Sequence, residues 1–411
     1  MRRGIQGHGW PWLEMRWTPP APRFDPGLRN RSKPGWNPWS PHGIEVPNWG
    51  CVNNHTRDRG TTMNDVTTYG LDLAKQVFQV HWVDVHSGEI QRKTLRRAQL
   101  CAFFARAPRG VVAMEACGSA HHWGRVLSGL GHAVKLIAAQ FVRPFVKTNK
   151  TDAADAQAIW EAAQRPDMRF VALKSEQQQA VLSLHRLRAQ WIKVRTQQAN
   201  QIRGLLYEFG VVVPMGWRAL LDAATEQLTE PTSAVPVLLR DPLLEQLQAL
   251  RDATTRIVAL EQQLVCWQRR QPECQRLMAI PGVGPLTATA VIASVADARQ
   301  FRSARQFAAY LGLVPRQSGT GGRVQLLGIS KRGDTYLRTL LIHGARSVLL
   351  SQSRRGRSVE PWLAALLQRR PRNVVAVALA NKMARTIWAL LAQNRTFDAG
   401  WASRPPQPTG N

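Results

Sequence analysis

The chain has 411 residues, an apolar fraction of 44% and a formal net charge of +28 from 55 Lys and Arg against 27 Asp and Glu, which predicts a globular protein of two or three domains. No run of about 18 apolar residues is present to span a bilayer, so the basic excess favours nucleic acid as the partner over an anionic membrane surface. The five cysteines form no C-x-x-C pair, which excludes a zinc knuckle or a disulfide framework and indicates a reducing cytoplasm.

The first 62 residues differ in composition from the rest of the chain. They contain six of the 15 Trp and nine of the 25 Pro, without helical or strand periodicity, which is typical of disorder. Met63 then opens the sequence MNDVTTYGLDLAK. We therefore expect translation to begin at Met63, the alternative being a natural basic arm over 1–62 that touches nucleic acid.

Residues 63–173 are predicted to form an α/β domain. The apolar runs VTTYGLDLA, VFQVHWVDV, GVVAMEA and HAVKLIAA predict strands, and LRRAQLCAFFARA and SAHHWGRVLSGLG predict helices between them. Gly131 ends the second helix. After the polar loop KTNK, a further helix is predicted in TDAADAQAIWEAAQ, with Thr151 as its N-cap.

Residues 174–270 are predicted to be helical, as an antiparallel hairpin or coiled-coil arm. The alternative is an ordinary helix pair in a domain core. The prediction rests on two apolar sets spaced by three and four residues: Leu184, Leu187, Trp191, Val194, Gln198 and Leu205, and then Leu243, Leu247, Leu250, Ile257, Leu264 and Trp267.

Residues 271–395 are predicted to form a second, mainly helical globular domain, followed by a disordered Pro-rich tail over 396–411. It opens with PGVGP at 281–285, in which Gly282 and Gly284 permit a tight turn before a helix whose N-terminus offers free N–H groups to a phosphate. The segment is similar to a helix-hairpin-helix, which contacts the DNA backbone; a plain turn between helices is the alternative.

Four acidic residues suit a metal site for phosphoryl transfer. Asp72 and Glu115 end apolar strand segments, and Asp152 and Asp155 share one face of the following helix. Carboxylates placed together repel unless a cation lies between them, and two divalent ions about 3.5–4 Å apart can activate a nucleophile and stabilise a leaving oxygen. Mg²⁺ is the leading candidate. The alternative is that each acid has a separate structural or surface role.

A nucleophile and its phosphate contacts are predicted in QSGTGGRVQLLGISKRGDTYLRTLL. Ser318 is interpreted as part of a glycine-rich loop between Arg316 and Arg323, followed by Lys331, Arg332 and Arg338. Nearby cations would suit a scissile phosphate. From the residues alone, a flexible polar loop remains the simpler interpretation.

Together, GLDLAK, MEACGSAHHW, KTNKTDAADA, PGVGPLTA, ARQFAAYLGLVPRQSG and ISKRGDTYLRTLL closely resemble the DEDD transposases of the IS110 family, in particular its IS1111 branch, with the Piv invertases as relatives. The resemblance covers residues 63 to about 395. It implies a RuvC-like, ribonuclease-H-type domain in which Asp72, Glu115, Asp152 and Asp155 hold two Mg²⁺ ions, for which Mn²⁺ can substitute.

The same resemblance implies a covalent phosphoserine link to DNA through Ser318, with Ser330 as the second choice. It also implies donor and target DNA and a bridge non-coding RNA as partners, and an active site shared between protomers of a dimer or tetramer.

Together, motifs and resemblance predict an RNA-guided transposase in the bacterial cytoplasm, associated with the nucleoid and not with membrane. Two alternatives remain: a Holliday-junction resolvase that uses water as the nucleophile, and a non-catalytic nucleic-acid-binding protein.

Overall fold

The computed structural model describes residues 66–146, 151–320, 323–355 and 360–398. The predicted disorder of 1–62, the predicted KTNK loop and most of the predicted tail lie outside the described residues.

The N-terminal part contains a six-stranded sheet in the order β3-β2-β1-β4-β5-β6. Strands β1, β4 and β5 are parallel to one another, whereas β2, β3 and β6 are each antiparallel to a neighbour. The strands are β1 Thr68–Leu73, β2 Val77–Val83, β3 Ile90–Arg96, β4 Val111–Glu115, β5 Ala133–Ile137 and β6 Phe170–Val171. The helices are α1 Leu100–Arg106, α2 Ala120–Gly129, α3 Ala139–Val142 and α4 Asp152–Ala163.

Helices cover both faces of this sheet. Side chains alternate between the faces of a strand, so Tyr69 and Leu71 of β1 pack with α1 and α2 in one core. Ala113 of β4 faces the other side, where it packs in a second core with Ile159 of α4. Gly70 and Asp72 share this second face, and α4 therefore lies over them.

Strand β3 is absent from the sequence-based prediction. Its sequence IQRKTLR buries Leu95 alone, because β3 is the edge strand beside β2 and its other side chains point to solvent. Polar and charged residues are normal on sheet edges, where they discourage further pairing. An apolar pattern could not reveal such a strand. The predicted N-cap of α4 is confirmed, since Thr151 Oγ1 accepts the backbone N–H of Ala154 at 3.3 Å.

Three helices follow: α5 Glu176–Glu208, α6 Trp217–Thr229 and α7 Val237–Arg269. Helices α5 and α7 run antiparallel, since Val181 packs with Leu264, near one end of each helix, and Ile202 packs with Leu247, near the other. The apolar set predicted for α7 is confirmed, with Leu243, Leu247, Leu250, Ile257 and Leu264 buried and Trp267 packed partly buried beside the C-terminal core.

The apolar set predicted for α5 is wrong at Leu187, whereas Leu184 packs partly buried beside Val181 and Leu264. Leu187 is 51% exposed, whereas His185 is buried. The imidazole contacts Tyr336 Oη through Nδ1 at 2.9 Å and Thr289 Oγ1 through Nε2 at 3.0 Å. Burial, and next the charge of Arg188, lower the pKa of His185 to about 4, so the ring is neutral at pH 7. Helix α5 is thus oriented by polar partners from the C-terminal part.

The C-terminal part is mostly helical. Its helices are α8 Pro272–Met278, α9 Pro285–Ser294, α10 Ala304–Tyr310, α11 Thr335–Arg355, α12 Pro361–Arg369 and α13 Arg372–Ala392, with a hairpin of β7 Pro315–Thr320 and β8 Arg323–Ile329. One apolar core joins the helices. The expected fold class, mixed α/β followed by a mainly helical part, is confirmed at this level.

Helix α13 departs from the expectation that no segment could span a membrane. Within the described ranges it is the one helix long and apolar enough to do so by length and composition. However, one face of α13 is buried in the C-terminal core, through residues such as Val375, Ala380 and Ile387, while Lys382 and Arg385 are exposed. Its apolar composition therefore reflects its position in that core.

Candidate active site

Three of the predicted acids meet where α4 crosses β1. Asp72 lies near the end of β1, and Asp152 and Asp155 lie in the first turn of α4. One carboxylate oxygen from each residue lies within 4.8 Å of the others. Asp72 and Asp155 are partly buried, and Asp152 is exposed. The cluster therefore opens to solvent on the side of Asp152.

The charged form of the Asp72 carboxyl is destabilised by its surroundings. Burial, followed by the charges of Asp155, Asp152 and Glu115, raises the pKa of its carboxyl to about 6 from an ordinary value of 3.8. The backbone N–H of Leu73 opposes this shift but is the weakest contributor. Gathering negative charge around a half-buried carboxylate is unfavourable without a cation.

The residues present fit a hard divalent cation. Carboxylate oxygens are the ligands that Mg²⁺ and Mn²⁺ prefer, and the three side chains come from two elements that converge on one point. A cation bound there would relieve the repulsion that raises the pKa of Asp72. The donor set therefore suits an oxygen-coordinated divalent ion.

Glu115 is the fourth predicted acid and lies outside this group of three. It is the last residue of β4, which pairs in parallel with β1, and it is partly buried. Its charge contributes to the raised pKa of Asp72. The structure thus places Glu115 beside the cluster, on the neighbouring strand.

Ser318 lies in strand β7, and its predicted position in a glycine-rich loop is wrong. It pairs with Gln325 of β8, and Gly319 pairs with Val324. Ser318, Arg316 and Arg323 are exposed. On β8, Val324 and Leu326 are also exposed, at 67% and 65%. The glycine-rich sequence QSGTGG does not by itself predict a strand, because β7 is defined by its pairing with β8.

Lys331 and Arg332 are exposed on the segment that joins β8 to α11. Ser330 N–H donates to Val314 O at 2.8 Å, and Lys331 N–H donates to Gly312 O at 3.1 Å. Lys331 has φ 55°, in the left-handed region that non-glycine residues seldom adopt. The backbone of this segment is therefore held by hydrogen bonds, and the side chains of Lys331 and Arg332 are exposed on its surface.

Arg338 differs from the other predicted phosphate contacts because it is 7% exposed. Its Nη1 donates to Leu311 O at 2.9 Å and Arg332 O at 3.2 Å, and its Nη2 donates to Thr335 Oγ1 at 3.1 Å. A guanidinium engaged in this way holds the segment in place. The geometry favours this structural role over contact with a phosphate.

The PGVG turn connects α8 to α9 and is pressed against α11. Gly282 has φ 86°, and a Cβ there would lie 2.7 Å from Gly344 O. Gly284 is the N-cap of α9, followed by Pro285 at the first helical position, and nothing lies within 4 Å of where its Cβ would be. The turn is thus packed closely against α11 at Gly282, whereas the space beside Gly284 is open.

Two family models match separate stretches of the chain. Residues 274–359 match the family described as "Transposase IS116/IS110/IS902 family". Residues 69–210 match the family model of the DEDD transposase domain of IS110 elements. A "Probable family 20 transposase" of Pseudomonas aeruginosa is 53% identical over 338 residues, which cover 82% of this chain and 100% of the relative. The chain belongs to the IS110/IS116/IS902 transposase family.

Two further relatives confirm the resemblances drawn from the motifs. The "Transposase for insertion sequence element IS1111A" of Coxiella burnetii is 42% identical over 351 residues, 84% of this chain and 94% of the relative. The "Pilin gene-inverting protein" of Moraxella bovis is 28% identical over 124 residues, 30% of this chain and 38% of the relative. Enzymes of the transposase family cleave and transfer DNA strands.

One residue beside the acidic cluster is not among the residues that the sequence singled out. Gly70 stands two positions before Asp72 in GLDLAK and lies directly under α4. A glycine inside a strand often marks the close approach of another backbone. The position of Gly70 inside the predicted strand is therefore the signal that indicates this close approach.

Proposed function

We propose that this chain is a RuvC-like DEDD transposase that cleaves and exchanges DNA strands through a phosphoserine intermediate, guided by a bridge RNA. One observation carries the proposal: Asp72, Asp152 and Asp155 converge within 4.8 Å in a chain of an insertion-sequence transposase family. Carboxylates grouped in this way suit phosphoryl transfer assisted by divalent ions.

The topology of the sheet supports a ribonuclease-H-type arrangement. Three antiparallel strands, β3-β2-β1, are continued by the parallel strands β4 and β5. Asp72 lies on β1, Glu115 ends the adjacent β4, and Asp152 and Asp155 begin α4. We extend this arrangement to residues 63–173 as the catalytic domain, 174–270 as a coiled-coil arm and 271–395 as the transposase domain.

Asp72, Asp152, Asp155 and Glu115 would hold two Mg²⁺ ions, or Mn²⁺ in their place. When bound, these ions polarise the phosphate and stabilise the charge on its oxygens. The carboxylates would hold the ions near the C-terminal ends of β1 and β4, and the partial burial of Asp72 limits the access of water on one side.

In the chemical step, Ser318 Oγ attacks the scissile phosphorus. An Oγ–P bond forms as the bond to the leaving deoxyribose oxygen breaks; the serine proton is released to solvent, and the departing oxygen takes up a proton. A deoxyribose hydroxyl of the second duplex then attacks the phosphoserine and restores the serine. Ser330 is the second choice of nucleophile.

Basic surfaces would hold the nucleic acids. Arg316, Arg323, Lys331 and Arg332 are exposed near Ser318 in sequence and suit phosphates of donor and target DNA. The backbone of the Gly282–Gly284 turn and the N-terminus of α9 suit a phosphate in the manner of a helix-hairpin-helix. Helix α5 has no acid between 177 and 207 and exposes Arg186 and Lys193, which suits the bridge RNA.

Ser318 and the acidic cluster are carried on separate parts of the fold. A site shared between protomers of a dimer or tetramer would bring the serine of one subunit to the carboxylates of another. We expect this assembly to act in the cytoplasm, on the nucleoid.

The test is strand exchange between donor and target plasmids with purified protein, Mg²⁺ and the RNA transcribed from the flank of the element. Wild type should yield recombinants and a protein–DNA adduct that survives denaturation. Asp155→Asn and Ser318→Ala should yield neither, and Ser330→Ala should retain the adduct. Adduct formation by Ser318→Ala would contradict the assignment of the nucleophile.

The alternative function, a Holliday-junction resolvase, uses the same carboxylates with water as the nucleophile. It predicts cleavage that requires Asp155 but leaves no adduct and is insensitive to Ser318→Ala. Omitting the RNA completes the experiment, because recombination at full yield without it would remove the guide from the proposal.

A further inference from the structure

Gly70 lies at the centre of the contact between β1 and α4. Its neighbours Tyr69 and Leu71 point into the core on the opposite face of the sheet, so Gly70 and Asp72 face α4 together. The backbone of α4 crosses β1 at this glycine, one residue after Asp155.

The distances leave no room for a side chain at this position. A Cβ on Gly70 would lie 2.3 Å from Ala156 O, 2.7 Å from Trp160 Cβ and 2.8 Å from Trp160 N. All three distances are below 3.0 Å, a limit that real Cβ contacts essentially never cross. Two of the three atoms belong to the helix backbone and the third is fixed to it, so a rotamer change cannot relieve the overlap.

Helix α4 carries two of the three clustered carboxylates in its first turn. If the helix moved away from β1, Asp152 and Asp155 would move away from Asp72, which is fixed in the sheet. Mg²⁺ requires oxygen ligands at about 2.0–2.1 Å in near-octahedral geometry. A displacement of α4 by a few tenths of an ångström would therefore weaken the binding of the cation.

We propose that Gly70 is a positioning residue for the divalent-metal site, acting by letting α4 approach β1 closely enough for Asp152 and Asp155 to share a cation with Asp72. The proposal rests on the metal site of the proposed function. Gly70 touches neither metal nor DNA and acts through the placement of the helix.

The test compares Gly70→Ala with Gly110→Ala in the full chain. Gly110 precedes β4 in the same sheet, and a Cβ there would lie 2.1 Å from Thr67 O, so its substitution is equally crowded. Gly110 lies at the opposite end of β4 from Glu115. Mn²⁺ affinity is measured from the free-ion signal in electron paramagnetic resonance, and folding is followed by thermal unfolding in EDTA.

We expect both variants to unfold at lower temperature. Gly70→Ala should bind Mn²⁺ at least about tenfold more weakly than wild type, in the range typical of residues that support metal ligands, whereas Gly110→Ala should bind within about twofold of wild type. Equal Mn²⁺ affinity of folded Gly70→Ala and wild type would overturn the proposal.

A second variant covers the case in which Gly70→Ala does not fold. Ala156→Val enlarges a side chain that is 1% exposed, on the residue whose carbonyl approaches Gly70, and it should weaken Mn²⁺ binding in the same direction. Unchanged affinity in folded Ala156→Val would overturn the role of this contact. Absence of Mn²⁺ binding by wild type itself would instead refute the metal site of the proposed function.

Discussion

Asp72 couples proton binding, metal binding and stability at one residue. Its pKa is about 6 in the folded protein and near 3.8 in the unfolded chain. Without a cation, at pH values between 3.8 and about 6, the folded state therefore keeps a proton on Asp72 that the unfolded chain has released, and this proton stabilises the folded state. The stabilisation is complete below about pH 4, and it is lost as the pH rises through 6.

We predict that the free energy of unfolding in EDTA falls between about pH 4 and about pH 6, and that Mn²⁺ affinity falls below about pH 6 because protons compete for Asp72. Asp72→Asn should remove this component of the pH dependence and abolish Mn²⁺ binding. Urea unfolding in EDTA at a series of pH values measures the free energy of unfolding, and the free-ion signal in electron paramagnetic resonance measures Mn²⁺ affinity. Asp84→Asn is the control, because Asp84 is an exposed carboxylate of lowered pKa. A slope that survives Asp72→Asn unchanged would refute this origin.

Lys331 has a left-handed backbone that glycine would adopt at lower cost. We predict that Lys331→Gly raises the free energy of unfolding by about 1 kcal/mol while weakening DNA binding and lowering the slope of log K against log salt by about 1. Lys331→Ala is the matched control, since it removes the charge but keeps the strained backbone. Filter binding at several salt concentrations and urea unfolding separate the two effects.

At the scale of elements, two glycines inside helices should respond to the same substitution with opposite signs. Gly204 lies within α5 with nothing within 4 Å of where its Cβ would be, whereas a Cβ on Gly344 of α11 would lie 2.1 Å from Gly282 O. Gly204→Ala should stabilise the protein by about 1 kcal/mol. Gly344→Ala should destabilise it, since the PGVG turn would have to move.

Gly344→Ala should also weaken DNA binding if the PGVG turn contacts phosphates, whereas Gly204→Ala should leave it unchanged. Urea unfolding and filter binding of the two variants measure these effects. Stabilisation by Gly344→Ala would show that the turn is not held against α11.

Elements with a local signal could be predicted from the sequence. The strand ends at Asp72 and Glu115 follow apolar runs, and α4 begins at a Thr N-cap. Strand β3 and the hairpin carrying Ser318 could not be predicted, because cross-strand pairing defines them. The buried face of α5 also escaped prediction, since Tyr336 and Thr289 reach His185 only through the fold.

The same distinction applies to the candidate site. The identities of the acids follow from their positions in sequence, but their convergence depends on α4 packing against β1. Arg338 was predicted to contact phosphate, but its guanidinium donates to backbone carbonyl groups, including that of Leu311. A sequence pattern does not show such contacts, because they form only in the folded chain. Sequence thus provides the chemistry of the side chains, and tertiary packing determines which of them remain available.

At the scale of the whole molecule, the metal should stabilise one part of the chain. The sheet and α4 form cores separate from that of α8–α13. At 100 times its dissociation constant, a cation stabilises the folded state by about 2.7 kcal/mol. We predict that Mn²⁺ slows hydrogen exchange in residues 66–146 and 151–171 but not in 274–350, as measured by mass spectrometry. Equal protection in both would indicate one cooperative unit.

Helix α13 has a consequence for truncated copies of the gene. It contributes Val375, Ala376, Ala380, Met383 and Ile387 to the C-terminal core, so a stop codon before residue 372 would leave that core open. Such a product would expose a large apolar surface, a state that cellular proteases remove. A truncated copy of the gene would therefore yield a product that is degraded, and no inactive protein would accumulate from it.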